Sequence, residues 1–125
     1  MSDRKQLLLV VVLSFGICAA ARADDLPTRV GDCVSTTIKS IETRLSGTPG
    51  SGSGVSFEND GYQVGYDTVP AIERSRKGDP VRMCLESVPQ NCPKGDDRGR
   101  VYHVTNLRTH QSWSRPDSSH SCGGA

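Results

Sequence analysis

Three histidines, His103, His110 and His120, lie among plentiful serines and aspartates, the residue types from which hydroxyl nucleophiles and their bases are assembled. Such constellations are defined by geometry, so abundance is no evidence for one. The stretch from Gly47 to Gly54 offers the nearest approach to a motif, and it fails both relevant patterns. Ser51 has Pro49 two positions before it and Ser53 has Ser51, so neither forms a Gly-x-Ser-x-Gly elbow. Val55 stands where the third glycine of Gly-x-Gly-x-x-Gly belongs. The stretch reads as a flexible loop, and a small histidine-dependent hydrolase stays only as an alternative.

Arginine supplies a second chemistry. Arg74, Arg76, Lys77 and Arg82 fall near one another, and Arg98, Arg100, Arg108 and Arg115 lie in or beside the hairpin expected over Gly99–Ser114. Brought to one face, their planar guanidinium forks would read carboxylate or phosphate groups. Arg74, Arg76, Arg98 and Arg108 are the candidate binding residues. With Tyr102 and Trp113 as stacking platforms, they would make a groove for glycan or single-stranded nucleic acid. Against that groove, Glu73, Asp79, Glu86, Asp96 and Asp97 interleave with the arginines. A solvated mixed-charge surface is the simpler reading, and the overall balance lacks the basic excess of nucleic-acid binders.

Metal chemistry has less to build on. No Cys-x-x-Cys occurs, and Cys84 and Cys92 are too far apart for structural zinc spacing. Glu58-Asn59-Asp60-Gly61 and Gly95-Asp96-Asp97-Arg98-Gly99 gather oxygen ligands, yet neither follows the EF-hand pattern. No metal or cofactor is expected.

The cysteines suit disulfides better. Asp3, Arg4 and Lys5 precede the apolar run Leu7–Ile17, and Ala21-Arg22-Ala23 follows as a small-x-small cleavage pattern. This reads as a secretory signal peptide over residues 1–23, which places the remainder in an oxidising compartment. The apolar run is too short for a membrane helix, so no span is expected after its removal. Cleavage after Ala23 discards Cys18 and leaves one mature domain, residues 24–125. Taking Arg4, Lys5, Arg22 and Asp3 from the 15 basic and 14 acidic residues leaves 12 and 13, a net charge of −1. That balance argues against nucleic acid as the partner.

Between Asp24 and the C-terminus stand 22 large apolar residues, a thin core for a domain of this size. Burying each contributes roughly 1.5–3 kcal/mol, while ordering each residue of the chain costs roughly 1–2 kcal/mol. Cross-links would make up the difference. Cys33, Cys84, Cys92 and Cys122 permit three connectivities. The short, proline-bearing interval between Cys84 and Cys92 suits a local bridge, which leaves Cys33 to pair with Cys122 and tie the domain's ends.

The elements that would position these residues are mostly strands. Val55 and Phe57, then Tyr62, Val64 and Tyr66, alternate on either side of Asn59-Asp60-Gly61, a hairpin signal. Val81, Met83 and Leu85 alternate with Arg82, Cys84 and Glu86 in a third strand entered by Gly78-Asp79-Pro80. Gly99–Leu107 and Gln111–Ser114 form a second hairpin around Arg108-Thr109-His110. Trp113, Tyr62, Tyr66 and Tyr102 read as core or core-edge residues, since large aromatics dominate small cores. In Cys33–Leu45 the apolar spacing is helical, but Ser35-Thr36-Thr37-Ile38 is poor helix material. An irregular strand whose bulge resets its inward face accounts for both. Thr68–Asp79 is a long connection with room for a helical turn. The fold expected is mainly β: a small antiparallel barrel or sandwich of OB-like or SH3-like size, with five to six strands and the bridges Cys84–Cys92 and Cys33–Cys122.

Several blocks carry a likeness. Glu73-Arg74-Ser75-Arg76 leading to Gly78-Asp79-Pro80-Val81, Cys92-Pro93-Lys94-Gly95-Asp96-Asp97-Arg98-Gly99, Thr105-Asn106-Leu107-Arg108-Thr109 with Trp113, and Pro116–His120 ahead of Cys122-Gly123-Gly124 resemble a group of small, signal-bearing bacterial proteins of unassigned function. The resemblance implies a periplasmic or extracellular address and carries over no activity or site residue. The functional expectation is a non-catalytic exported binding module that contacts a protein or cell-envelope component, a hydrolase inhibitor being one concrete form. Its contacts are expected on Thr68–Asp79 and Pro93–Arg98, because scaffolded loops carry function.

Overall fold

The computed structural model describes residue 16 and residues 25–124. The expected leader over 1–23 and its cleavage after Ala23 lie outside the described residues, Gly16 apart. Six strands and one short helix follow in order: β1 (Cys33–Thr43), β2 (Ser53–Phe57), β3 (Tyr62–Val64), α1 (Pro70–Glu73), β4 (Pro80–Ser87), β5 (Val101–Asn106) and β6 (Ser112–Pro116). They form one antiparallel sheet in the order β3-β2-β1-β4-β5-β6, curled into a half-barrel.

The curl originates in β1. Its first half, Cys33–Thr37, pairs with β4, and its second half, Ile38–Thr43, pairs with β2. Between Ile38 and Ser40 the register shifts by one residue at a bulge. A bulge bends its strand and increases the local twist. It also explains the spacing that imitates a helix. Thr36 and Ile38 face inward before the bulge, and Ile41 packs against the core after it. The irregular strand expected over this segment is what forms.

Period-two alternation builds the rest of the interior. Val81, Met83 and Leu85 of β4 are buried while Arg82 and Glu86 are exposed. Tyr102 and Val104 of β5 and Trp113 of β6 face the same interior, and Val55 and Phe57 of β2 meet them from the other side. Helix α1 starts on Pro70, whose fixed φ and missing N–H suit a first helical turn. Its Ile72 is fully buried in the same cluster.

In the first hairpin the expectation needs correction. β2 and β3 pair with Val55 opposite Gln63 and Ser56 opposite Tyr62, so the residue sharing the inward face with Val55 is Gln63. Asp60, at φ 66°, closes a turn in which Phe57 N–H bonds Gly61 C=O, and that turn length sets the parity. Tyr62 is half-buried and Tyr66 is 54% exposed, so Tyr66 is not a core residue.

Inside, the Gln63 side chain has no exposed surface. Its Nε2 donates to the carbonyls of Tyr102 at 2.8 Å and Arg115 at 3.0 Å, and its Oε1 accepts from Trp113 Nε1 at 2.8 Å. One amide thus joins β3 to β5 and β6 across the open side of the sheet.

The disulfide connectivity also differs from expectation. The bridges are Cys33–Cys84 and Cys92–Cys122, with no link from Cys84 to Cys92 or from Cys33 to Cys122. Cys84 lies within β4, directly opposite Cys33 of β1. A side chain held in an extended ladder meets its cross-strand neighbour, whereas Cys92 lies beyond the strand's end at Ser87 and past Pro89. Cys92 instead bonds the C-terminal segment. Sequence proximity was the wrong guide because the intervening chain runs away from the sheet. Two bridges in so small a domain are consistent with an oxidising location.

Candidate functional site

The four candidate arginines occupy two places, at opposite ends of β5. Beyond its C-terminal end, Arg108 grips Asp79 with Nε 2.6 Å from Oδ1 and a terminal nitrogen 2.9 Å from Oδ2. The same guanidinium donates to the carbonyl of Arg74 at 3.1 Å. Asp79 is a buried carboxylate at 3% exposure, and it also accepts from the Asn106 amide at 2.9 Å and the Arg76 N–H at 2.9 Å. Asn106 bonds Ser75 Oγ, and its Oδ1 accepts the N–H groups of Arg108 and Thr109. The Arg108 hydrogen bonds, ahead of those from Asn106 and Arg76, hold the Asp79 carboxyl well below its ordinary range, and they outweigh the opposing effect of burial. This cluster clamps the 68–79 connection to the β5–β6 turn.

Before β5, Arg98 makes a two-point pair with Asp96, both contacts at 2.9 Å, and donates to Gly124 C=O. Asp96 accepts from the Gly123 N–H as well, and Arg98 C=O receives the Cys122 N–H at 2.7 Å. The Arg98 hydrogen bonds first, then that from Gly123, keep the Asp96 carboxyl well below its usual range. Arg98 therefore pins the C-terminal segment beside the Cys92–Cys122 bridge. Arg74 reaches Gln111 Oε1 at 3.3 Å, and the Arg76 guanidinium is mostly exposed, 3.7 Å from Asp79. Thus Arg74, Arg76 and Arg108 gather around Asp79, while Arg98 stands apart at the far end of the strand. The platforms proposed to complete an arginine groove are inside the protein: Trp113 is 5% exposed and Tyr102 2%.

The histidines are dispersed. His110 sits in the β5–β6 turn at φ 61°, and His120 packs edge-on to Tyr66 with ring centroids 6.5 Å apart. His103 lies on the outer face of β5, its Nδ1 2.9 Å from Ser114 Oγ, which donates to Glu86 at 3.0 Å. A hydroxyl has one hydrogen; with Glu86 accepting it, the imidazole acts as donor to Ser114 and not as its base. That order is the reverse of an activated nucleophile. Among the described residues, no group of three His, Cys, Asp or Glu side chains is placed to hold a metal ion.

A concavity lies elsewhere, along the second half of β1. It encloses about 590 Å³ and is lined by Ile41, Glu42, Thr43 and Arg44, by Ser46 and Gly47, and by Tyr62 and Glu73. A second hollow of about 320 Å³ shares Glu42 and Tyr62 with it. Gly54 provides space here, since a Cβ on it would touch the Tyr62 hydroxyl and Cβ of Glu42. Glu42 accepts from Ser40 at 3.0 Å and Ser56 at 3.2 Å, and Glu73 accepts from Ser53 at 2.7 Å. Burial, with the Glu42 charge second, pushes the Tyr62 phenol up. Arg44 is turned aside: its Nε donates to Ser51 C=O at 2.8 Å and its guanidinium lies 4.2 Å over the Tyr66 ring.

Sequence reasoning did not single out this site. The available signal was the bulge, because a strand that changes partners halfway leaves part of one edge uncovered. The chain matches no family model, no curated protein and no solved structure. Among the described residues, no helix is long and apolar enough to cross a membrane.

Proposed function

We propose that this protein is a non-catalytic binding module, exported to the periplasm or cell exterior of a bacterium, that holds a protein partner in the concavity beside β1. The observation that carries this reading is the concavity itself, a hollow of about 590 Å³ on a sheet cross-linked by Cys33–Cys84. A recess of this volume matches small-ligand pockets and takes a few side chains of a docking segment. A cross-linked sheet keeps its shape on docking and so loses little entropy. The basic surface around Arg74 and Arg76 adjoins α1 and offers a rim to the same partner.

The test is site-specific photo-crosslinking in envelope extract. A photoreactive residue at Ser46, on the rim, is expected to give one discrete adduct that excess unlabelled protein competes away. The same residue at Arg82, on the outer face of β4, is expected to give none. Equal labelling from both positions, or none from Ser46, overturns the reading.

A further inference from the structure

We infer that the unpaired edge of β1 at Ile41–Thr43 receives an extended peptide as an added antiparallel strand, with a lysine or arginine of that peptide set beside Glu42. The inference rests on the protein-binding reading above and specifies the partner's chemistry.

The backbone carries the argument. Arg44 N–H bonds Gly52 C=O, so Arg44, and by alternation Glu42, direct their peptide groups at β2. Ile41 and Thr43 therefore direct theirs the other way. On that side β4 has already ended, since its pairing stops at Thr37–Pro80. The last bonds there run from Ile38 N–H to Asp79 C=O at 3.0 Å and from Gly78 N–H to Ile38 C=O at 2.8 Å. Past that point, among the described residues, no strand pairs with this edge. Two N–H and two C=O groups are left at strand spacing, bordered by the concavity that includes Ile41, Thr43 and Glu42. Strand addition uses main-chain bonds for affinity and alternate side-chain positions for specificity.

The side chains indicate the occupant. Glu42 lies on one side of the edge and Glu73 lines the same recess; Arg44 also lines it, but its guanidinium is held by the Ser51 carbonyl and the Tyr66 ring, and Lys39 lies in the adjoining hollow. Acidic groups on both flanks favour a basic residue in the incoming strand. Ile41 and Thr43 favour β-branched or apolar neighbours on the alternate positions.

The experiment uses the full mature chain and a panel of blocked seven-residue peptides. Each alternates Val or Thr with a central Lys, Arg or Glu. The amides of Ile41 and Thr43 are expected to exchange faster than that of Arg44 in the free protein and to gain protection with the Lys and Arg peptides. N-methylation of the peptide amides that face β1 should weaken binding about tenfold or more, while methylation of the alternate amides leaves it unchanged. Glu42→Gln should remove the preference for Lys over Glu. Thr43→Pro removes one edge donor without touching the β2 ladder and should weaken binding similarly; the methylation result stands if that variant does not fold. The inference is overturned if no panel member binds more tightly than about 1 mM, if both methylation registers act alike, or if Ile41 and Thr43 stay unprotected. A specific Ser46 adduct together with any of these failures leaves the binding-module reading standing and removes only this one.

Discussion

Trp113 and Gln63 meet in the interior of the half-barrel, with the indole Nε1 donating to the Gln63 side-chain oxygen at 2.8 Å. Fifty residues separate them, and the contact brings β6 to β3 across the sheet's open side. The same amide adds a second bond to the Tyr102 and Arg115 carbonyls, which the β5–β6 ladder already engages, so its loss strands the buried Trp113 N–H and leaves a void among the three strands. Each unpaired buried group costs about 1–3 kcal/mol. Gln63→Ala is therefore expected to destabilise the domain by about 2–4 kcal/mol, one unpaired donor plus a cavity, read by urea denaturation, with a changed Trp113 emission maximum. A variant as stable as wild type would refute the role given to this amide.

Thr36 is the opposite case. Its hydroxyl is buried and has no hydrogen-bond partner. It faces the same interior as Ile38, on a strand that favours β-branched residues. Thr36→Val keeps the shape and removes the unsatisfied group. The expected result is a gain of about 1 kcal/mol in stability, measured by the shift in denaturation midpoint at constant slope.

Asp79 predicts an acid-dependent stability. Its folded-state carboxyl is held below the ordinary value of 3.8, so between the two values the unfolded chain binds more protons than the native one. The stabilisation is complete above that ordinary value and is lost as pH falls through the folded value. Thermal melts of wild type and Asp79→Asn should differ most at neutral pH, with wild type higher. The difference should shrink steadily below about pH 4. A constant gap down to pH 2 would show that the Arg108–Asp79 pair is not its source.

The two disulfides are expected to act separately. Non-reducing peptide mapping should recover Cys33–Cys84 and Cys92–Cys122 only. In the chain-entropy account, loops closed by bridges 51 and 30 residues apart give about 4 and about 3.5 kcal/mol respectively. Replacing Cys33 and Cys84 by serine should lower the melting temperature of the whole sheet. Replacing Cys92 and Cys122 should chiefly expose the C-terminal segment to proteolysis while the core amides keep their protection.

Much of the fold is legible in the chain because β alternation is a local property of the backbone. Val81-Arg82-Met83-Cys84-Leu85 declares a half-buried strand wherever it is placed. Trp113 and Tyr102 read as core for their size, and they are core. The poor helix material of Ser35-Thr36-Thr37 against helical apolar spacing implied a bulged strand, and the bulge is present at Ile38/Ser40. The candidate arginines were legible only as residue types. Arg108 and Arg98 turn out to face Asp79 and Asp96, and those partners were counted only as neutralising charge.

From the chain alone came the strands, the inward-facing residues of β4 and β5, and the break in β1, all properties of a few consecutive residues and their backbone geometry. Tertiary structure decided which cysteine met which, that Gln63 and not Tyr62 turned inward, that Asp79 became the buried centre of a clamp, and that one stretch of β1 was left without a neighbour. Each of those depends on register between segments joined by long connections. Register is chosen by the packing of the whole sheet, so no local pattern encodes it.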